Sequence, residues 1–333
     1  MCSEGQGPAA ALPAGLSGWS RFLGRRDPVV RPDLSVELAG IRMQNPVMTA
    51  SGTFGCGREF VPYLDLNRLG ALVVKTITRY PRLGNPPPRI VETPAGLLNS
   101  IGLQNMGVEA FLREELPFLR QFGPPLIVNI AGERIEDFAY LASRLSQMEG
   151  VAGIELNVSC PNVADGLIFG TDPLLLSSLV GQVRKGTALP LLVKLTPNVT
   201  DIVLMARAAV EAGADALSLI NTVLGMAIDI RSRRPRLAQV VGGLSGPAIK
   251  PIALRMVYQV AKSVTVPVVG MGGIVSAEDA LEFIIAGAQA VALGTANFLD
   301  PTSCLRVIEG LESYLRQQGI PRLQDLVGSL RVE

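Results

Sequence analysis

Apolar positions along the chain fall into two alternating kinds of segment. One kind is short and continuous: residues 47–51, 71–76, 126–131, 153–159, 191–196, 216–222, 266–270 and 290–295 are strand-length runs rich in Val, Leu, Ile and Ala. Strands covered by helices on both faces read in this way, because neither face meets water. The other kind carries apolar residues at helical spacing, over 108–122, 136–148, 173–185, 199–212, 248–263, 277–286 and 302–318. Gly213 and Gly287 stand where two of these segments end, as expected of residues that close a helix in the left-handed conformation. A further helix is expected over 58–66. Ahead of the first run, 34–38 and 41–43 predict a short hairpin turning at Ala39-Gly40. Eight strand–helix units in series predict an α/β fold, a (β/α)8 TIM barrel with an N-terminal β-hairpin and long loops at the C-terminal face. An open doubly wound sheet usually has fewer units.

Two connections are too long to be turns. Residues 77–106 contain Pro81, Pro86, Pro87, Pro88 and Pro94, and residues 223–247 are rich in Arg and Gly. Both follow strands, which places them on the face where barrel enzymes build their sites. Residues 163–172 also follow a strand and contain Gly166 and Gly170, which suits a mobile lid.

Composition then narrows the chemistry. The chain has no histidine, which excludes Ser-His-Asp triads, Cys-His dyads and histidine-held metals. A general base must be Cys, Lys, Asp, Glu or Tyr. Its four cysteines, Cys2, Cys56, Cys160 and Cys304, form no CxxC pair, so no metal or cluster site is expected in this chain and a reducing, cytoplasmic setting fits. A net charge of +1 gives no general attraction to nucleic acid or anionic membrane. Residues 1–31 lack the layout of a secretory signal and read as a disordered extension, with organelle targeting or a partner contact as alternatives. No stretch is long and apolar enough for a membrane span. The barrel domain is expected over 32–333.

Polar residues at the strand ends are the candidate chemistry. In chain order they are Ser51; Lys75 and Thr76; Asn129; Asn157, Ser159 and Cys160; Lys194; Asn221 and Thr222; Gly272-Gly273; and Gly294-Thr295. In a barrel they converge on one mouth. Lys75 and Lys194 sit inside apolar strands, which is costly unless each has an anionic partner; either could instead snorkel to solvent or pair with a carboxylate. The glycines of the last two strands let backbone amides approach a phosphate, although Gly-Gly alone could simply make a tight turn. Asparagine offers both a donor and an acceptor, which matches the amide edges of a pyrimidine or an isoalloxazine.

The run Asn157-Val158-Ser159-Cys160-Pro161-Asn162, with Asn99-Ser100-Ile101-Gly102-Leu103-Gln104-Asn105, resembles the dihydroorotate dehydrogenase family of flavin enzymes. Lys75-Thr76, Gly242-Gly243-Leu244-Ser245-Gly246, Met271-Gly272-Gly273-Ile274 and Leu293-Gly294-Thr295 extend the resemblance from about residue 34 to the C-terminus. Cysteine where the membrane-linked class has serine points to the cysteine-using classes. Gly84-Asn85-Pro86-Pro87-Pro88-Arg89 and Glu92-Thr93-Pro94-Ala95-Gly96 resemble the NAD-linked class 1B catalytic subunit.

The resemblance implies FMN-dependent oxidation of (S)-dihydroorotate to orotate in pyrimidine biosynthesis, with Cys160 as catalytic base. It implies substrate binding by Lys75, Asn99, Ser100, Ile101, Gly102, Leu103, Asn157, Asn221 and Thr222. It implies one FMN per chain, held by Ser51, Lys75, Thr76, Asn129, Asn157, Lys194, Ile220 (through its backbone), Gly246, Gly272, Gly273, Gly294 and Thr295. A separate iron–sulfur flavoprotein subunit carrying FAD and a 2Fe–2S cluster would pass electrons to NAD+, in a heterotetramer of two catalytic and two electron-transfer subunits. Alternatives are the same reaction in a fumarate-linked homodimer, a dihydrouridine-synthase-like flavin barrel acting on RNA, and a barrel without catalytic activity. Cys56 and Cys304 read as small buried hydrophobes, and Cys2 as a tail thiol.

Overall fold

The structure is a computed structural model and describes residues 31–159 and 169–332. The N-terminal extension, Cys160 and all of the expected lid before Phe169 lie outside the described residues. The chain first makes the hairpin β1 (Val36–Leu38) and β2 (Ile41–Met43), with Val36 opposite Met43 and the turn at Ala39-Gly40. Leu38, Ile41 and Met43 are buried. A side chain at Gly153 would come within 2.9 Å of Ile41 Cδ1, so the hairpin packs against the start of the barrel strand that begins at Gly153.

The barrel strands are β3 (Val47–Thr49), β4 (Leu72–Val73), β7 (Leu126–Ile130), β8 (Gly153–Asn157), β9 (Leu191–Lys194), β10 (Ala216–Leu219), β15 (Val268–Met271) and β16 (Ala290–Leu293). They form one sheet in the order β3-β16-β15-β10-β9-β8-β7-β4, parallel at every pairing. A parallel bridge between Met48 and Ala71 closes β3 onto β4. This is the expected (β/α)8 barrel. Its strands are buried along nearly their whole length, which is why they read as unbroken apolar runs.

Helices α1 (Val108–Ala110), α2 (Leu116–Leu119), α3 (Ile135–Ser146), α4 (Pro173–Arg184), α5 (Ile202–Glu211), α6 (Lys250–Ala261), α7 (Ala277–Ala286), α8 (Ala296–Leu299) and α9 (Ser303–Gln318) lie between and after the strands. The apolar stripe of α3, Phe138, Leu141, Ala142 and Leu145, is buried at helical spacing. Each large side chain buried in this way contributes about 1.5–3 kcal/mol. Asp172 and Asp201 accept hydrogen bonds from the first turns of α4 and α5, and Ser276 with Asp279 forms a capping box on α7. Gly287 ends α7 with φ of 120°, in the left-handed region, as its place in the sequence suggested.

Two expectations need correction. Residues 58–66 form no helix. The segment is a series of turns with bonds such as Phe60 N–H to Gly57 O and Tyr63 N–H to Phe60 O, before a short 3-10 turn at Leu66–Arg68. Pro62 cannot donate, and the Phe54 and Phe60 rings stack at 4.0 Å to pin the turn. The expected 108–122 helix is interrupted by a π-helical turn at Phe111–Glu115 and ends at Leu119. Pro117 is the physical reason: its ring excludes a regular bond to the carbonyl four residues back, so the chain widens there.

The two long connections are not irregular. The first contains β5 (Ile90–Thr93) and β6 (Gly96–Asn99). The second contains β11 (Val223–Gly225), β12 (Ile228–Asp229), β13 (Arg234–Pro235) and β14 (Gly242–Ser245). Four of these strands combine into an antiparallel sheet, β11-β14-β6-β5, with Asn99 opposite Gly243, while β12 and β13 pair with each other. This sheet stands at the C-terminal mouth of the barrel.

Candidate active site

Several barrel strands leave the ladder earlier than the apolar runs suggest. β3 stops at Thr49, β4 at Val73 and β10 at Leu219. The residues just beyond, Ser51, Lys75, Thr76, Asn221 and Thr222, turn into a cavity of about 610 Å³ at the mouth. That volume suits a mid-sized organic ligand. The four-stranded sheet contributes Leu97, Asn99, Gly243 and Ser245 to the wall. Of the sequence-predicted site residues, Ser51, Lys75, Thr76, Asn99, Ile101, Gly102, Leu103, Asn157, Lys194, Ile220, Asn221, Thr222, Gly246, Gly272, Gly273, Gly294 and Thr295 line this one cavity. Asn129 and Ser100 do not line it; both are fully buried behind the wall.

One side of the cavity is built from side chains. Asn221 Nδ2 donates to Ser159 Oγ at 2.7 Å and to Asn157 Oδ1 at 3.2 Å, while its Oδ1 accepts from the Thr222 amide at 2.8 Å. The three groups thus hold one another in fixed orientation at the ends of β8 and β10. Asn99 Nδ2 donates to Gly243 O at 3.3 Å, which ties the β5–β6 hairpin to β14. Lys194 is 6% exposed, and its Nζ lies 3.3 Å from Ser51 Oγ. It has no carboxylate partner among the described residues. A buried ammonium without a counter-charge is expensive, so this position favours an anionic ligand or one that becomes anionic.

The opposite side is built from backbone. Gly272 and Gly273 have φ of 119° and 83°, a region that favours glycine. A Cβ on Gly273 would lie 2.9 Å from Gly246 O and 2.9 Å from Lys250 N, so this cradle closes if a side chain is added. Thr295 Oγ1 and Ser245 Oγ are 2.7 Å apart and link the end of β16 to the mouth sheet.

Sequence reasoning missed three contributors. Glu59 and Phe60 line the cavity from the turn segment that was expected to be a helix. Ser245 was part of a quoted motif without a role. Glu155 was also overlooked: it is 1% exposed on β8, and its carboxylate accepts from Asn129 Nδ2 at 2.5 Å and Ser218 Oγ at 2.6 Å. Its signal was available, since strand alternation puts Gly153, Glu155 and Asn157 on one face. A larger, more open depression of about 740 Å³ lies over 78–85. Its charges pair with each other, Arg82 with Glu133 at 2.6 Å and Arg79 with Asp137 at 3.5 Å, so it offers less to a ligand.

Comparison with known proteins decides the family. The model of the dihydroorotate dehydrogenase family matches residues 33–315. The chain belongs to the dihydroorotate dehydrogenase family. It is 57% identical over 305 residues to dihydroorotate dehydrogenase B (NAD(+)), catalytic subunit, of Geotalea daltonii, covering 91% of this chain and all of that protein. It is 59% identical over 301 residues to the protein of the same description from Geotalea uraniireducens, covering 90% of this chain and 99% of that protein. Among solved structures, the dihydroorotate dehydrogenase of Eimeria tenella in complex with ferulenol superposes with a TM-score of 0.75 at 27% identity, covering 92% of this chain and 90% of that one. The resemblance to the NAD-linked catalytic subunit, carried in the sequence by 84–89 and 92–96, therefore holds over most of the chain. Members of this family are oxidoreductases, and the cavity occupies the mouth where a barrel oxidoreductase places its reaction.

Proposed function

We propose that the chain is the catalytic subunit of a NAD-linked dihydroorotate dehydrogenase and oxidises (S)-dihydroorotate to orotate. The observation that carries this reading is Lys194, buried without a carboxylate partner among the described residues and lining a cavity of a chain that matches the family. Three features fit FMN: the buried Asn129 Oδ1 has no partner among the described residues, the glycine cradle would be filled by a Cβ, and the cavity has room for a flat ring system. Ser51, Lys75, Thr76, Asn129, Asn157, Lys194 and the backbone of Ile220 would hold the ring and its side chain, with Gly246, Gly272, Gly273, Gly294 and Thr295 at the phosphate. When bound, FMN supplies the acceptor for the two electrons and the hydrogen that leave C6 of dihydroorotate.

The chain's own groups do the rest. Cys160, which the sequence places three residues after Asn157, takes the proton from C5. Without histidine to draw off its proton, the thiol acts as a base only as it ionises; a free thiol does so near pH ~8.5, so the rate is expected to rise in the alkaline direction. Asn99, Asn157, Asn221 and Thr222 grip the carboxylate and the amide edges, with Ile101, Gly102 and Leu103 lining the same cavity. Lys75, which lines the same cavity, would contact both substrate and FMN, and Lys194 would stabilise negative charge as it develops. The ordered Asn157–Ser159–Asn221 cluster supports this division, since its members need no rearrangement to meet a planar ligand.

Electrons leave through a partner subunit carrying FAD and a 2Fe–2S cluster, in a heterotetramer, with NAD+ as final acceptor. Among the described residues no helix is long and apolar enough to cross a membrane. The test is co-purification followed by turnover with NAD+ or fumarate, using chain alone and complex. Dihydroorotate-dependent NADH formation only in a complex with iron–sulfur absorbance is expected. Fumarate reduction by the chain alone would assign it to the other class.

A further inference from the structure

Glu155 lies inside the barrel, on β8, one inward-facing position below Asn157. Its two carboxylate oxygens are both occupied, one by the Nδ2 of Asn129 on the neighbouring strand β7 and one by the hydroxyl of Ser218 on β10. No cation pairs with it among the described residues. A carboxyl group kept in so apolar a barrel, at 1% exposure, is costly unless its hydrogen bonds serve a purpose. Asn129 shows what that purpose is. Its amide is planar, so anchoring the NH2 group on Glu155 also fixes where the carbonyl oxygen stands. That oxygen, Oδ1, is buried and has no partner among the described residues. An unpaired buried acceptor is rare and points to a donor from outside the chain. The strands on either side of β7 deliver Lys75 and Asn157 to the cavity, so Asn129, which does not itself line the cavity, stands between two strands whose residues do.

We propose that Glu155 is a positioning residue: by accepting from Asn129 Nδ2 it turns the Asn129 carbonyl into a fixed acceptor for a ring N–H of the bound flavin. The inference rests on the FMN reading above. Asparagine could otherwise present either edge, and only the carbonyl edge accepts. Ser218 steadies the carboxylate from the far side. Oxidised isoalloxazine carries a single ring N–H, at N3, so the selection is open to a direct chemical probe.

The test is titration of apoprotein with FMN and with 3-methyl-FMN, which lacks that N–H, read by flavin fluorescence, with unfolding curves as a control. Wild-type protein is expected to prefer FMN about tenfold, the worth of one buried hydrogen bond. Glu155→Met offers no acceptor and lets the amide rotate, so the preference falls to near one. Glu155→Gln is the informative contrast. Its carbonyl still accepts from Asn129, and its NH2 is taken by the Ser218 hydroxyl, so the preference is retained. Asn129→Leu removes the acceptor itself and abolishes the preference, giving the same readout should Glu155→Met fail to fold. An unchanged preference in Glu155→Met or Asn129→Leu would overturn the proposal, as would a Glu155→Gln protein that behaves like Glu155→Met. Failure of wild-type apoprotein to bind either flavin would instead overturn the FMN reading, and this inference with it.

Discussion

The two sides of the cavity are built by different means. Along β8, β9 and β10 the wall is made of side chains: Asn157, Ser159, Lys194 and Asn221, locked by hydrogen bonds to one another or to Ser51. Along β15 and β16 it is made of backbone, with Gly272 and Gly273 in conformations that favour glycine. The first side tolerates a changed backbone angle poorly and a changed residue not at all, because its function is the functional group. The second has no room for a Cβ at Gly272 and Gly273, because its function there is close approach. The division matches the proposed ligands, with reacting rings on the side-chain wall and an unreactive phosphate on the backbone wall.

The largest expected effect is at Cys160, which follows Ser159 in the sequence. Cys160→Ala lowers the rate of flavin reduction at neutral pH by about 10²–10⁴-fold, the usual worth of a positioned base. Rapid mixing with dihydroorotate measures it, and wild-type rates in that variant would remove Cys160 from the mechanism. Next is Lys194→Met, which is expected to cost about 10²-fold in turnover with the KM for dihydroorotate little changed, since the lost charge acts mainly as negative charge develops. An equal rise in KM would make Lys194 a plain substrate anchor.

The backbone wall should fail differently. Gly273→Val is expected to weaken FMN binding by about tenfold or more, from strain at a positive φ together with the clash against Gly246 O. Turnover per bound flavin stays near wild type. If turnover per flavin fell instead, the two walls would not be separable.

The smallest effect is far from either wall. Burial pushes the Cys304 thiol up to about 12, whereas an exposed thiol titrates near ~8.5. A group with a raised folded-state value stabilises the fold fully below its unfolded value. That contribution is lost as pH rises from there toward 12. Thermal unfolding of wild type therefore declines across this alkaline window, and the decline is shallower in Cys304→Ala. Identical slopes would show that the thiol titrates alike in the folded and unfolded protein, against the effect of burial.

The two walls also differ in how far the sequence reveals them. Side-chain chemistry is legible by residue type: a lysine inside Leu-Leu-Val-Lys or an asparagine ending Gly-Ile-Glu-Leu-Asn is conspicuous. Backbone chemistry leaves only glycines, and Gly272-Gly273 gained meaning from Gly294 one strand later. The barrel was legible because each buried strand is a local pattern. The mouth sheet was not, since Asn99 and Gly243 are 144 residues apart and neither segment alternates strongly enough to announce a strand. Glu155 was legible in principle, by strand parity with Asn157, but a lone carboxylate in an apolar run has no partner visible until Asn129 and Ser218 are brought beside it. The turn at 54–63 misled because Phe54 and Phe60 stack across it instead of lying on a helix face.

The most direct test of the whole account is anaerobic addition of (S)-dihydroorotate to the purified, FMN-loaded chain, followed by visible absorbance. The flavin band is expected to bleach, with one orotate formed for each flavin reduced. A chain that takes up no FMN, or whose bound flavin stays oxidised in the presence of dihydroorotate, would contradict it.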